Sequence, residues 1–166
     1  LVLKPDFLPA RSLLASVTYR SGNYLEAAAQ ADQVISKDRN AISAWFLKGL
    51  SFARLGRPSD ARLILSQALS INPDDEFVRT ALEDLILKHT ALEDSERIPW
   101  ARYHFERARD FKTRNLSDQA LFEYRRGLRI NPYADERREY AELLRVSGFP
   151  YRHLEELRFI QDRAQA

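Results

Sequence analysis

The chain has 166 residues, of which 45% are hydrophobic and 30% are charged, and its net charge is +2. This is the composition of a folded globular chain, and it excludes a disordered tail. The longest uncharged runs are far shorter than the ~20 residues of a membrane-crossing helix, so no transmembrane segment is expected. Because cysteine is absent, disulfides and thiolate metal sites are excluded.

Residue types recur along the chain at fixed spacings, and such a repeat decides the fold. Pairs that lie 34 residues apart are Gly22 and Gly56, Ala27 and Ala61, and Ile35 and Leu69. Pairs that lie 59 residues apart, which is 34 plus 25, are Ala61 and Ala120, Leu69 and Leu128, and Pro73 and Pro132. The same unit therefore recurs, with a shorter interval before its last regular copy.

Each copy predicts two helices that are joined by a tight turn. An apolar face with helical period ends at a turn residue such as Gly22 or Gly56, and a second helix follows. A small residue on the second helix, as at Ala61, allows the pair to pack closely. A proline, as at Pro73, then ends the second helix. The sequence therefore predicts helix–turn–helix units and an all-α fold.

These residues resemble the tetratricopeptide repeat (TPR) family over nearly the whole chain. In the most complete copy, 42–75, the family's positions hold Trp45, Gly49, Phe52, Gly56, Ala61, Leu65, Ala68 and Pro73. The copy 8–41 holds Ala15, Gly22, Tyr24, Ala27 and Ala31, and the copy 101–134 holds Ala108, Phe111, Ala120, Tyr124, Leu128 and Pro132. The resemblance implies a right-handed TPR superhelix, an α-solenoid of antiparallel helix pairs, within a longer TPR protein.

In chain order, residues 1–7 are interpreted as the end of a preceding repeat, and the repeats 8–41 and 42–75 follow. If the phase continued, Pro99 would fall inside a second helix, where proline costs about 3 kcal/mol. We therefore expect a single helix over 76–92, which ends an N-terminal TPR segment 1–92, and a linker or hinge over 93–100. The C-terminal TPR segment 101–166 then consists of the repeat 101–134 and a degenerate repeat with a capping helix over 135–166.

Motifs of catalysis and cofactor binding are absent from the sequence. All five glycines belong to the repeat or its turns, so none remains for a phosphate-binding loop. Among the histidines, only His153 has a carboxylate at the helical i, i+3 spacing, Glu156, and this pair lacks a third metal ligand. We therefore expect no catalytic residue, no metal, no cofactor and no enzymatic activity.

The resemblance implies that the first helix of each pair lines a concave groove, which includes Phe77 and Thr80 of the predicted helix 76–92. An apolar patch with basic edges and a more basic surface further along the chain are expected there. The predicted ligand-binding residues are Tyr19, Arg20, Phe46, Leu50, Arg54, Asp84, Lys88, Phe105, Arg109 and Lys112. A protein or peptide with apolar anchors and an acidic group would suit this surface.

The charge distribution is typical of a solvated helix surface rich in Arg and Glu, and it leaves an acidic or phosphorylated partner open. Residues 1–96 contain 11 Lys/Arg against 13 Asp/Glu, and residues 97–166 contain 15 against 11. Nucleic acid is not expected, because no strongly basic stripe with stacking aromatics is present. The carboxylate clamp of chaperone-binding TPR proteins is not matched either, since its positions hold Ser12, Ser16, Leu47, Phe77 and Ala81.

The leading hypothesis is thus a protein-interaction scaffold, and two alternatives remain open. The chain would also suit an accessory or regulatory domain of a larger enzyme. It would equally suit a homo-oligomerisation module, and its oligomeric state is not determined by the sequence. A cysteine-free chain suits the cytoplasm and the periplasm alike, and an export signal upstream of Leu1 stays open.

Overall fold

The computed structural model describes residues 7–165, and every regular element among them is an α-helix. The nine helices of this range are α1 Leu8–Arg20, α2 Tyr24–Lys37, α3 Ile42–Arg54, α4 Pro58–Ile71, α5 Glu76–His89, α6 Arg97–Thr113, α7 Ser117–Ile130, α8 Arg137–Val146 and α9 Pro150–Ala164. The predicted all-α class is confirmed. The expected preceding repeat falls, apart from Phe7, outside the described residues.

The chain forms two compact units, of which unit 1 ends at His89 and unit 2 begins at Thr90. Unit 1 contains the pairs α1–α2 and α3–α4 together with the single helix α5. Unit 2 contains the pairs α6–α7 and α8–α9. In both units the close-packing positions of the second helices, Ala27, Ala61 and Ala120, are completely buried. Small side chains there let the paired backbones approach.

The turns inside the helix pairs share one left-handed residue. It has φ 85° at Gly22, 71° at Gly56 and 83° at Gly148. The pair α6–α7 uses Asn115 instead, at φ 58°. Glycine carries no Cβ penalty in this conformation and asparagine tolerates it better than most residues, so the four turns satisfy one geometric demand.

Arginine side chains hold the turns between successive helix pairs within each unit. Arg79 Nη2 donates to the carbonyl oxygen of Pro73 at 2.8 Å, and Arg137 Nη2 donates to that of Pro132 at the same distance. The two prolines occupy one repeat position, 59 residues apart. Each arginine thus satisfies a carbonyl that lies beyond the end of a second helix and has no helical partner.

The segment between α5 and α6 lies earlier in the chain than the sequence predicts. Helix α5 ends at His89 rather than near 92, and α6 begins at Arg97 with Pro99 in its first turn. The buried Arg97 explains the early start, because its guanidinium donates to the carbonyl oxygens of Thr90 at 2.7 Å and Ile130 at 3.0 Å. A side chain with these partners fixes residue 97 against the rest of unit 2.

Candidate functional site

A cavity of about 700 Å³ lies in unit 1, where the first helices α1 and α3 and the single helix α5 face one another. Its lining residues are Tyr19, Phe46, Leu50, Ala53, Arg54, Leu65, Phe77, Thr80, Ala81, Asp84, Leu85, Lys88 and His89. We call this cavity the unit-1 groove. The structure therefore brings together six of the residues predicted from sequence, whereas Arg20 is exposed and lies outside the lining.

Apolar side chains occupy the floor and one edge of the unit-1 groove. Phe46 and Leu50 on α3 are partly buried, whereas Phe77 on α5 is 77% exposed. The sequence places Phe77 at a groove-facing position but leaves it out of the predicted apolar patch. A phenyl ring that remains in water next to an apolar floor is a ready contact for an incoming side chain.

Two cations line the same groove. Arg54 Nε lies 3.4 Å from the hydroxyl oxygen of Tyr19 and donates to it, and this hydrogen bond raises the pKa of Arg54. The ammonium of Lys88 is exposed and forms no ion pair with any residue of the described range. Asp84 is the acidic residue of the lining. The groove thus offers two positive groups against one negative group beside its apolar floor.

The predicted site residues of unit 2 are placed differently. Phe105 is only 2% exposed, so its ring belongs to the core, where it lies over Gly127 and 6.2 Å from the ring centroid of Tyr124. The expectation that Phe105 contacts a ligand is therefore corrected. A Cβ at position 127 would overlap this ring, which shows that glycine leaves the space that Phe105 fills.

Arg109 of unit 2 is held by two carboxylates. Its guanidinium donates to Glu139 at 2.7 and 2.9 Å and to Glu136 at 3.2 Å. The bond to Glu139 is the main cause of a raised pKa for Arg109 and of a lowered pKa for Glu139. The Tyr124 hydroxyl also donates to Glu139 at 2.8 Å, and burial raises the pKa of Tyr124. Lys112, on the same helix, is also exposed.

Unit 2 also contains a buried charged cluster that sequence reasoning did not find. His104 Nδ1 lies 2.6 Å from Glu123 Oε2, and neither side chain is more than 3% exposed. Arg107 Nε lies 3.3 Å from the other oxygen of Glu123. The spacing of 19 residues between His104 and Glu123 spans two helices, so no pattern on one helix reveals the pair. The cluster packs α6 against α7.

The histidine with helical carboxylate spacing also has other partners. His153 Nδ1 donates to the carbonyl oxygen of Ala141 at 2.8 Å, and Glu156 pairs with Arg137. No group of three His, Cys, Asp or Glu side chains in the described range is arranged to hold a metal ion. Likewise, none of the helices described is both long and apolar enough for a membrane span.

The helix pairs, with their left-handed turn residues and buried small residues, define a helical-repeat protein. Residues 13–76 match the family described as tetratricopeptide repeat. The match covers most of α1, the helices α2, α3 and α4, and the first residue of α5. No curated protein sequence gives a significant match.

Solved structures with the same fold cover nearly the whole chain. Residues 41 to the end of MamA from Desulfovibrio magneticus RS-1 superpose with a TM-score of 0.53 at 11% identity, over 98% of both chains. A double mutant of the RS-1 MamA gives the same TM-score at 12% identity, also over 98% of each chain. YrrB, described as a TPR protein with an unusual peptide-binding site, gives 0.50 at 15% identity, over 89% of this chain and 81% of its own. At these identities the likeness establishes the fold.

Proposed function

We propose that the chain is a protein-interaction scaffold and that its unit-1 groove binds a peptide segment with apolar side chains and an acidic group. The groove volume of about 700 Å³ falls within the ~300–1,000 Å³ of ligand sites. Peptide binding by YrrB, a protein of the same fold, supports the assignment. The observation that carries it is the meeting of Phe46, Leu50 and Phe77 with Arg54 and Lys88 in one lining.

Apolar contacts would supply most of the affinity. Burial of an exposed aromatic side chain contributes on the order of 1.5–3 kcal/mol, and Phe77 has most of its surface available. The floor residues Phe46 and Leu50 would contact the same partner, since they line the same groove. Because aromatic residues dominate binding energy at such surfaces, Phe77 is the residue whose loss we expect to weaken binding most.

The cations would select and orient the partner. Arg54 is aimed across the groove by its bond to Tyr19, so its remaining N–H groups are available to a carboxylate. Lys88 forms no ion pair in the described range, so none has to be broken when it binds an acidic group of a partner. Exposed charge contacts contribute about 0–1 kcal/mol each and are screened by salt, so their effect is on choice of partner and orientation.

A random 12-residue peptide library displayed on phage, selected against the purified chain, tests this function. We expect enriched peptides to combine aromatic or aliphatic residues with Asp or Glu. Phe77→Ala should weaken their binding about tenfold, which corresponds to ~1.4 kcal/mol. Leu63→Ala is the matched control, because Leu63 is 74% exposed but lies outside the groove lining.

Two outcomes would contradict the proposal. One is that no peptide is enriched above background. The other is that enriched peptides bind Phe77→Ala and a Phe46→Ala/Leu50→Ala double variant as tightly as the wild type, while circular dichroism shows both variants to be folded. Lys88→Glu adds a charge test, in which acidic peptides should lose affinity and neutral ones should not.

A further inference from the structure

A second cavity lies in unit 2, between the turn before α8 and the C-terminal half of α9. Its volume is about 260 Å³. The lining consists of Pro132, Tyr133, Ala134, Asp135, Arg137, Arg138, Phe159, Ile160, Arg163 and Ala164. Three arginines and one aspartate thus meet an apolar surface in a space far smaller than the unit-1 groove. Nothing in the proposed peptide groove uses these residues.

The aromatic rings of this cavity are covered by guanidinium groups. The Arg163 guanidinium lies 3.9 Å from the ring centroid of Tyr133, and that of Arg137 lies 3.9 Å from the ring centroid of Phe159. The two rings are nearly parallel, at 18°, with centroids 6.5 Å apart. A guanidinium that stacks by its face keeps its N–H groups at the edge, where they point away from the ring.

The three arginines differ in how their charges are used. Arg137 pairs with Glu156 and donates to the carbonyl oxygen of Pro132, so its guanidinium stabilises the fold. The guanidinium groups of Arg138 and Arg163 have neither an ion pair nor a hydrogen-bond acceptor among the residues that the structure describes. Both side chains are exposed. Two available cations and one acid, Asp135, therefore line the cavity.

We propose that this cavity binds the oxyanion of a partner peptide's acidic side chain, a carboxylate or a phosphate. The planar fork of arginine matches both groups through paired hydrogen bonds. A volume of about 260 Å³ is sufficient for one such side chain. Phe159 and Ile160 would contact the apolar stem of that side chain, and Asp135 at the rim would receive a backbone N–H of the peptide.

Three peptides of one sequence, with glutamate, phosphoserine or glutamine at the centre, distinguish the sources of the oxyanion. Nuclear magnetic resonance titration of the full chain would follow the Nε–H signals of Arg138 and Arg163. We expect saturable shifts with the glutamate or phosphoserine peptide and none with the glutamine peptide. Inorganic phosphate is the fourth probe, and saturation as tight as that of the phosphoserine peptide would overturn the peptide part of the proposal.

Charge-removing variants locate the site. Arg138→Gln and Arg163→Gln should each weaken binding of the acidic peptide at least fivefold. Arg158→Gln, also exposed on α9 but outside the cavity, should leave it unchanged. Arg163→Lys keeps the charge and loses the fork, so a loss close to that of Arg163→Gln is expected.

Thermal melting of the same variants separates binding from packing, because Arg163 also covers Tyr133. A lower melting temperature without saturable binding of either acidic peptide would overturn the proposal and leave the stack as a structural element alone. Equal binding by wild type and the Arg138→Gln/Arg163→Gln double variant would overturn it as well. Phe77→Ala in the unit-1 groove should not affect this binding, so the two proposals fail independently.

Discussion

Glu139 of unit 2 is an acidic residue whose carboxylate is held by side chains of two other helices. Its carboxylate accepts hydrogen bonds from Arg109 and from the hydroxyl of Tyr124. The bond from Arg109 lowers the pKa of Glu139 below 4.5, against the opposing effect of burial. Because the folded state favours the ionised form, the ionised carboxylate stabilises the fold above 4.5, and this contribution is lost as the pH falls through the lower folded-state pKa.

Glu139→Gln should therefore lower the free energy of unfolding at pH 7 and make it less dependent on pH below 4.5. The side chain is 39% exposed, so solvent screening limits the expected loss at pH 7 to about 1 kcal/mol. Urea unfolding followed by circular dichroism at pH 7 and at pH 3 measures both effects. Glu155→Gln, an exposed change on α9, is the control. Parallel pH profiles for wild type and Glu139→Gln would contradict the assignment.

The helix pairs show that one repeat position can serve two purposes. Phe46 and Phe105 are 59 residues apart and occupy the same position, yet Phe46 lines the unit-1 groove while Phe105 is buried. The corresponding residues of the second helices differ, since Ala68 stands where Gly127 stands in unit 2. The missing methyl group at Gly127 opens the space into which Phe105 turns.

Gly127→Ala should consequently destabilise unit 2, because the new Cβ would overlap the Phe105 ring. Overpacking of this kind costs about 1–3 kcal/mol. The thermal melting temperature measures the loss, and Phe105→Leu in the same chain should restore part of it by removing the overlap. A Gly127→Ala chain as stable as the wild type would mean that the two helices separate freely, contrary to the packing described.

This comparison also marks the limit of what spacing can predict. The recurrence of Gly22, Ala61 and Pro73 predicts the helix pairs and their turns, because a tight turn, a close helix contact and a helix end each require a particular residue type. The unit-1 groove follows from the same register. The burial of Phe105 does not, since it depends on how much room a residue on another helix leaves. The hydrogen bonds of Arg97 and the ion pairs of Arg109 and Arg137 are not predicted for the same reason, because their partners lie on other elements.

At the scale of the molecule, each unit has its own core, and a short segment joins α5 to α6. Residues 91–95 of this segment are exposed, whereas Arg97 just after it is buried. In the sequence, Pro99 predicts the break, but the anchoring role of Arg97 is not predicted. Exposed backbone outside regular structure is the preferred target of proteases.

Limited digestion with a glutamate-specific protease should therefore cut first at Glu93, within the exposed segment. Mass spectrometry identifies the cut, and Glu93→Gln should slow the reaction several-fold. Glu155, which is exposed but helical, should be cut much later. First cleavage inside a helix would contradict the described fold of that element.

The buried His104–Glu123 pair restricts how such a chain can evolve. The same repeat positions in the copy 42–75 hold Trp45 and Ile64. If recombination exchanged only one helix between the copies, a glutamate would face a tryptophan, or a histidine would face an isoleucine. Either exchange would leave a buried polar side chain without a partner. Exchange of a whole helix pair keeps His104 and Glu123 together, so we expect tolerated exchanges between copies to have breakpoints between helix pairs and not within them.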